Sequence, residues 1–190
     1  MLLRLISHGG CGTAWFLNGI KLSLPAGWIT HSRDPNIENF EPYNIRKMIY
    51  LYGDPYNTIL SYHRRGFISD PDAKHCRHMN GDYNGLIKFK SRNLQGFLNN
   101  GYDFFRLEDH VNTWMNYTNR KYKIMFVKYE SLPQTLPEIT KWLGIEDRQL
   151  VPVKRISDWE KSEGKVKDGL HKMFGKYRER WLQFEDLIVL

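Results

Sequence analysis

One stretch near the amino terminus constrains this chain more than any other. Leu2, Leu3, Leu5 and Ile6 read as a short buried strand. Ser7-His8-Gly9-Gly10-Cys11-Gly12-Thr13 follows as a glycine-rich loop, and Ala14-Trp15-Phe16-Leu17 opens an apolar helix. A strand that turns through small residues into a helix N-terminus brings backbone N–H groups together on an anion. The glycines let the backbone approach a ligand closely, and the helix dipole favours negative charge there. No Gly-Lys-Ser/Thr ends the loop, so it is not a Walker A sequence. The same residues would also serve a plain strand-to-helix turn, and the loop alone does not choose.

Length and composition narrow the partners. The 190 residues suit one α/β domain with a sizeable core. Aromatic residues make up 14% of the chain, so the core and any pocket should be rich in rings. The net charge of +7 points to phosphate or sulfate groups, an acidic glycan or nucleic acid. No run approaches the roughly 18 apolar residues of a membrane span. Leu2 to Ile6 is too short for the core of a secretory leader, so a cytoplasmic location without membrane contact is expected. Two cysteines, Cys11 and Cys76, make no disulfide framework and suit a reducing compartment. His75-Cys76-Arg77-His78 holds metal-ligand residue types at crowded spacing with no second cluster, so a polar loop and no metal are expected.

Along the chain, strands alternate with helices, which predicts a parallel sheet with helices on both faces. Pro25-Ala26-Gly27 is a turn, and Trp28-Ile29-Thr30-His31 is a short strand ending in a polar loop at Ser32-Arg33-Asp34-Pro35. His31 thus falls at a strand's carboxyl end, where open α/β sheets place their ligands, although surface histidines also occur there. Lys47 to Tyr52 is the clearest buried strand. Asp54 then caps a helix with Pro55 at its first position and Tyr56, Ile59, Leu60 and His63 on its inner stripe. Ser61, Arg64 and Arg65 can share a face of that helix. Gly66 to Gly101 reads as loops with short helices, the kind of insertion that covers a site. Leu107 to Tyr117 is a helix with Val111, Trp114 and Met115 inward, and Tyr122 to Tyr129 contains another buried strand. Thr135-x-x-Glu138 reads as a capping box opening a helix that Gly144 closes. The tail from Val153 is basic, and Leu170 to Trp181 looks like a last amphipathic helix.

Taken together in this order, several segments resemble the sulfotransferases that use 3′-phosphoadenosine-5′-phosphosulfate (PAPS). The family's Pro-Lys-Ser-Gly-Thr-Thr-Trp lies along Gly9-Gly10-Cys11-Gly12-Thr13-Ala14-Trp15. Its Lys-Thr-His, which bears the catalytic base, is similar to Ile29-Thr30-His31. Its Arg-Asn/Asp-Pro with a following Ser resembles Gly53-Asp54-Pro55 and Ser61, and its Tyr-Glu-Asp-Leu resembles Tyr129-Glu130-Ser131-Leu132. A downstream Thr-Ser-Phe resembles Ser157-Asp158-Trp159 more weakly. The resemblance implies a three-layer α/β fold of P-loop nucleotide-binding type over residues 1–190, with 66–106 as an inserted acceptor-side or lid region.

The resemblance also implies roles. His31 would be the general base. The amides of Gly10, Cys11, Gly12, Thr13 and Ala14, with the Thr13 hydroxyl, would hold the 5′-phosphosulfate end of PAPS, and Trp15 or Trp159 would stack on its adenine. Ser61 and Arg64 would hold its 3′-phosphate, with Tyr129, Ser157 and Trp159 completing the nucleotide site. For the aromatics, core packing is the competing role. The acceptor would be a hydroxyl of a glycan or small molecule, the product adenosine 3′,5′-bisphosphate (PAP), and no metal would take part. Three family cations are replaced here, by Gly10, Ile29 and Gly53. Each lost charge-assisted hydrogen bond removes on the order of 1.5–3 kcal/mol of binding. Arg33, Arg64, Arg65 and Lys165 are the candidates to compensate. Without compensation, the alternative is a degenerate module that binds a nucleotide or anionic glycan without turnover. A basic single-stranded nucleic-acid binder would also use interleaved aromatics, but no nucleic-acid motif accompanies them, so nucleic acid is not expected.

Overall fold

Alternation along the central strand builds the two apolar layers of the fold. In the segment Lys47–Tyr52 (β3), Met48, Tyr50 and Tyr52 face one layer while Ile49 and Leu51 face the other, all fully buried. The computed structural model describes residues 3–19, 29–36, 47–145 and 157–190. Leu2, Trp28, the turn at 25–27 and the start of the basic tail at Val153 lie outside them.

Around β3 the sheet contains Leu3–Ser7 (β1), Ile29–Thr30 (β2), Lys123–Lys128 (β4) and Leu187–Val189 (β5) in the order β2-β1-β3-β4-β5. The first four are mutually parallel, as the strand–helix alternation predicts, with Leu5 in register with both Ile29 and Ile49. β5 is antiparallel to β4 and closes the other edge, a feature the sequence reading missed. Three residues are too few to show a period, so the run Leu187-Ile188-Val189 carried no strand signal of its own.

Helices cover both faces. On one side lie Thr13–Gly19 (α1) and Leu132–Leu143 (α7), packed through Phe16, Leu17, Leu136, Ile139 and Leu143. On the other, Pro55–Arg64 (α2), Lys74–His78 (α3), Tyr83–Lys88 (α4), Leu94–Asn100 (α5), Leu107–Asn116 (α6) and Gly164–Gln183 (α8) enclose a larger, ring-rich core. The helices α3, α4 and α5 are the short pieces expected between Gly66 and Gly101. Ile68, Cys76, Leu86 and Phe97 anchor that region in the larger core.

Four local readings are corrected. His63 is exposed and Tyr62 is buried in its place, because inward positions of α2 recur through 56, 59 and 62. In α6, His110 joins the buried face beside Val111 and Trp114, while Met115 is half-buried. Thr135 does not cap α7, which begins at Leu132 with a proline in its first turn; the Thr135 hydroxyl donates instead to the Ser131 carbonyl at 2.9 Å. His75-Cys76 belongs to the short helix α3, with both side chains buried. The remaining stop signals behave as read: Gly144 closes α7 at φ +72°.

Candidate functional site

β1 delivers the chain into a turn that only glycine accommodates. Gly9, Gly10 and Gly12 have φ of +82°, +69° and +75°. A Cβ on Gly9 would stand 2.6 Å from His75 Cε1, and one on Gly12 would stand 2.1 Å from Tyr129 Cε2. The turn is held from beneath at the His8 carbonyl, which accepts from the Tyr62 hydroxyl of α2 and from His75 Nε2–H of α3 at 3.1 Å. The first bond of α1 runs from Phe16 N–H to the Gly12 carbonyl, so Thr13, Ala14 and Trp15 present amides with no intrahelical acceptor.

His31 lies one residue past β2, opposite this turn. Its Nδ1 is 2.7 Å from the Ser7 carbonyl and 3.2 Å from Ser7 Oγ. A carbonyl only accepts, so Nδ1 carries the proton and Nε2 keeps its lone pair in the neutral ring. Ser7 Oγ is also 2.9 Å from Thr13 Oγ1 and accepts from Gly9 N–H, tying the histidine to the turn. Burial lowers the His31 pKa from its usual 6.5; the Ser7 carbonyl opposes this, while the charges of Arg65 and His78 lower it further. The ring is therefore neutral near pH 7.

α6 fixes the backbone at this point. His110 Nε2–H donates to the His31 carbonyl at 2.8 Å, and Trp114 Nε1–H donates to the Ser32 carbonyl at 3.0 Å. With Nε2 protonated, His110 Nδ1 must accept, and its partner is the Tyr50 hydroxyl. His110 and Trp114 are one turn apart, so a single helical face grips two consecutive carbonyls.

A cavity of about 520 Å³ opens between these elements. It is lined by Gly10, Gly12, Thr13, Ala14, Trp15, His31, Ser61, Arg64, Tyr129 and Ser157 of the expected site residues, and by Gly9, Ile29 and Arg65. Trp15 and Tyr129 meet edge to face at 5.7 Å. The Ser157 hydroxyl is buried and has no hydrogen-bond partner among the described residues, as a ligand-facing group would. Two expected residues stand apart from the lining. Cys11 turns its side chain into the core, where its thiol donates to the Leu51 carbonyl at 3.2 Å. Trp159 packs edge-on against Tyr56 at 5.1 Å, with the Arg178 guanidinium 4.8 Å from its ring centre, so core packing accounts for it.

Of the four candidate cations, Arg64 and Arg65 line the cavity. Arg33 is directed towards the Phe105 carbonyl at 3.5 Å. Lys165 lines a separate cavity of about 480 Å³ between α5 and α8, with Lys172 and Asp168. Beside Gly53, the sequence reading missed Arg178, which reaches over from α8 to Asp54 at 2.9 Å and is engaged there. It also missed Ser7, His110 and Trp114, whose roles depend on pairings between elements remote in sequence. No cluster of three His, Cys, Asp or Glu side chains suited to a metal occurs among the described residues. No helix among them is long and apolar enough to cross a membrane.

No family model matches this chain, and no curated protein matches it. Among solved structures, it is similar to the crystal structure of mouse sulfotransferase SULT7A1 complexed with PAP. The likeness covers 96% of this chain and 88% of that one at 16% identity, with a TM-score of 0.50. The fold is thus that of the sulfotransferases.

Proposed function

We propose, with the sulfotransferase fold as premise, that this protein transfers a sulfuryl group from PAPS to a hydroxyl of a glycan or small-molecule acceptor. What supports the reading is His31, a residue lining the cavity beside the glycine turn, whose Nδ1 is engaged by the Ser7 carbonyl so that Nε2 keeps its lone pair. In this reading residues 1–190 act as one unit, with 66–106 flanking the acceptor side. The residues present fit the donor, since the glycine turn has room only for backbone and the buried Ser157 hydroxyl lacks a partner among the described residues. The amides of Gly10 to Ala14 and the Thr13 hydroxyl would hold the 5′-phosphosulfate. Ser61 and Arg64 would hold the 3′-phosphate, and Trp15 and Tyr129 the adenine.

PAPS supplies a sulfuryl group whose bond to the 5′-phosphate breaks as the acceptor oxygen bonds to sulfur. His31 Nε2 takes the acceptor's hydroxyl proton in that step, and its protonated form is held at Nδ1–H by the Ser7 carbonyl. The donors of the turn meet the charge on the peripheral oxygens without reorganising.

The test is sulfate transfer from labelled PAPS to a panel of glycans and phenols, together with calorimetry of PAP binding. His31→Ala is expected to leave PAP affinity nearly intact and to lower turnover by about 10²–10⁴-fold. An active wild type that loses less than about tenfold would remove His31 as the base. A wild type that binds PAP but transfers to no acceptor would favour the binding module, for which the replacements at Gly10, Ile29 and Gly53 already speak.

A further inference from the structure

Two adjacent arginines line one cavity, and the donor accounts for only one of them. Among the described residues, Arg64 and Arg65 are the charged side chains of the lining, with no carboxylate beside them. Neither guanidinium has an acidic partner among the described residues. Ser61 is three residues before Arg64 on α2, and those two suit the 3′-phosphate. Arg65 makes a different contact. Its guanidinium lies 4.6 Å from the centre of the Phe67 ring. Phe67 stacks on His75 at 4.1 Å, and His75 meets His31 edge to face at 5.2 Å. Through this run of rings Arg65 is fastened to the wall that carries His31, and the stacking limits the rotamers it must give up on binding.

We propose that the acceptor carries an anionic oxygen group, a carboxylate or sulfate, and that Arg65 holds it while the reacting hydroxyl meets His31. This rests on the sulfotransferase reading of the site and names the acceptor class that the reading leaves open. The charges bearing on His31 agree with it, since Arg65 and His78 both depress its pKa. An anionic acceptor placed between them would offset that effect and raise the basicity of Nε2 as it binds. A planar guanidinium fork pairs with two oxygens of a carboxylate or sulfate, which would set the acceptor's orientation as well as its affinity.

The experiment compares 4-nitrophenyl β-D-glucuronide with 4-nitrophenyl β-D-glucoside, two probes that differ in one carboxylate. Binding of each is measured by calorimetry to the protein saturated with PAP, at low and high salt. The glucuronide is expected to bind at least about tenfold more tightly at low salt, with the gap narrowing as salt rises. Arg65→Gln should abolish the gap and leave PAP affinity unchanged. Arg64→Gln should weaken PAP relative to adenosine 5′-phosphate and keep the gap. Equal affinity for the two glycosides in the wild type, absence of binding by both included, overturns the proposal. So does a gap that survives Arg65→Gln, or a loss of PAP affinity in that variant equal to the loss of glucuronide affinity. Absence of PAP binding by the wild type would instead overturn the sulfotransferase reading itself.

Discussion

Gly12 shows how strictly a single residue is determined here. Its φ of +75° is already costly for an L-residue, by about 1–2 kcal/mol. A methyl group would also enter the Tyr129 ring at 2.1 Å, so Gly12→Ala must displace either the turn or the ring. Both line the cavity. PAP affinity in Gly12→Ala is therefore expected to fall at least about tenfold in calorimetry, with the far-ultraviolet circular dichroism unchanged. Undiminished binding would take the turn out of the site. The glycine spacing made this turn legible in the sequence, because small residues between a strand and a helix have few other uses. The reason Gly12 must be glycine was not legible. It comes from Tyr129, which follows β4 and reaches the turn only after the sheet has formed.

α6 shows the same limit at the level of an element. Its inward face could be read from the spacing of Val111 and Trp114, and that reading supplied packing but no task. The task comes from the exit of β2, where His110 and Trp114 hold the carbonyls of His31 and Ser32. A histidine on an apolar helix face gives no indication of its partner, which is why the residue went unnoticed beside Trp114. His110→Phe leaves two buried groups unsatisfied, the His31 carbonyl and the Tyr50 hydroxyl. At about 1–3 kcal/mol for each, the variant should lose roughly 2–6 kcal/mol of unfolding free energy in urea. Adding Tyr50→Phe removes one of the two orphans, so the double variant should lose less than the sum of the singles. A loss below about 1 kcal/mol in His110→Phe would show that α6 does not hold the histidine's backbone.

Across the whole molecule, buried histidines set the response to acid. Burial holds His75 down to about 3 and His110 well below its usual 6.5, and it lowers His31 as well. All three titrate near 6.5 once the chain unfolds, so below that pH the unfolded state binds more protons than the folded one. Stability from these groups is complete above about pH 6.5 and is lost as the pH falls towards their folded values. Asp103 acts in the opposite direction. Burial raises it from 3.8 to about 6, so its contribution is present at low pH and is lost as the pH rises through 6. Three protons against one leave a net loss on acidification. The unfolding free energy from urea titrations should be flat between about pH 7 and 8 and fall by up to roughly 1.4 kcal/mol per pH unit per net proton from 6.5 downwards. Midpoints that stay level to about pH 5 would mean that the histidines ionise within the fold. Composition gave the number of histidines, but their burial is a property of the assembled layers.

The two-layer construction also places one thiol on each side of the sheet. Cys11 belongs to the smaller core behind α1 and α7, and Cys76 to the larger core beneath α2 and α6. Both are buried, and neither is in a disulfide. Each thiol donates to a backbone carbonyl, Cys11 to Leu51 and Cys76 to Phe104. An alkylating reagent can therefore reach either sulfur only when its own layer opens. The rates at which the two are modified give separate readings of how often each half of the molecule breathes. A nucleotide that closes on the glycine turn would slow the reaction at Cys11 and leave Cys76 to report on the far side, with no label added to the chain.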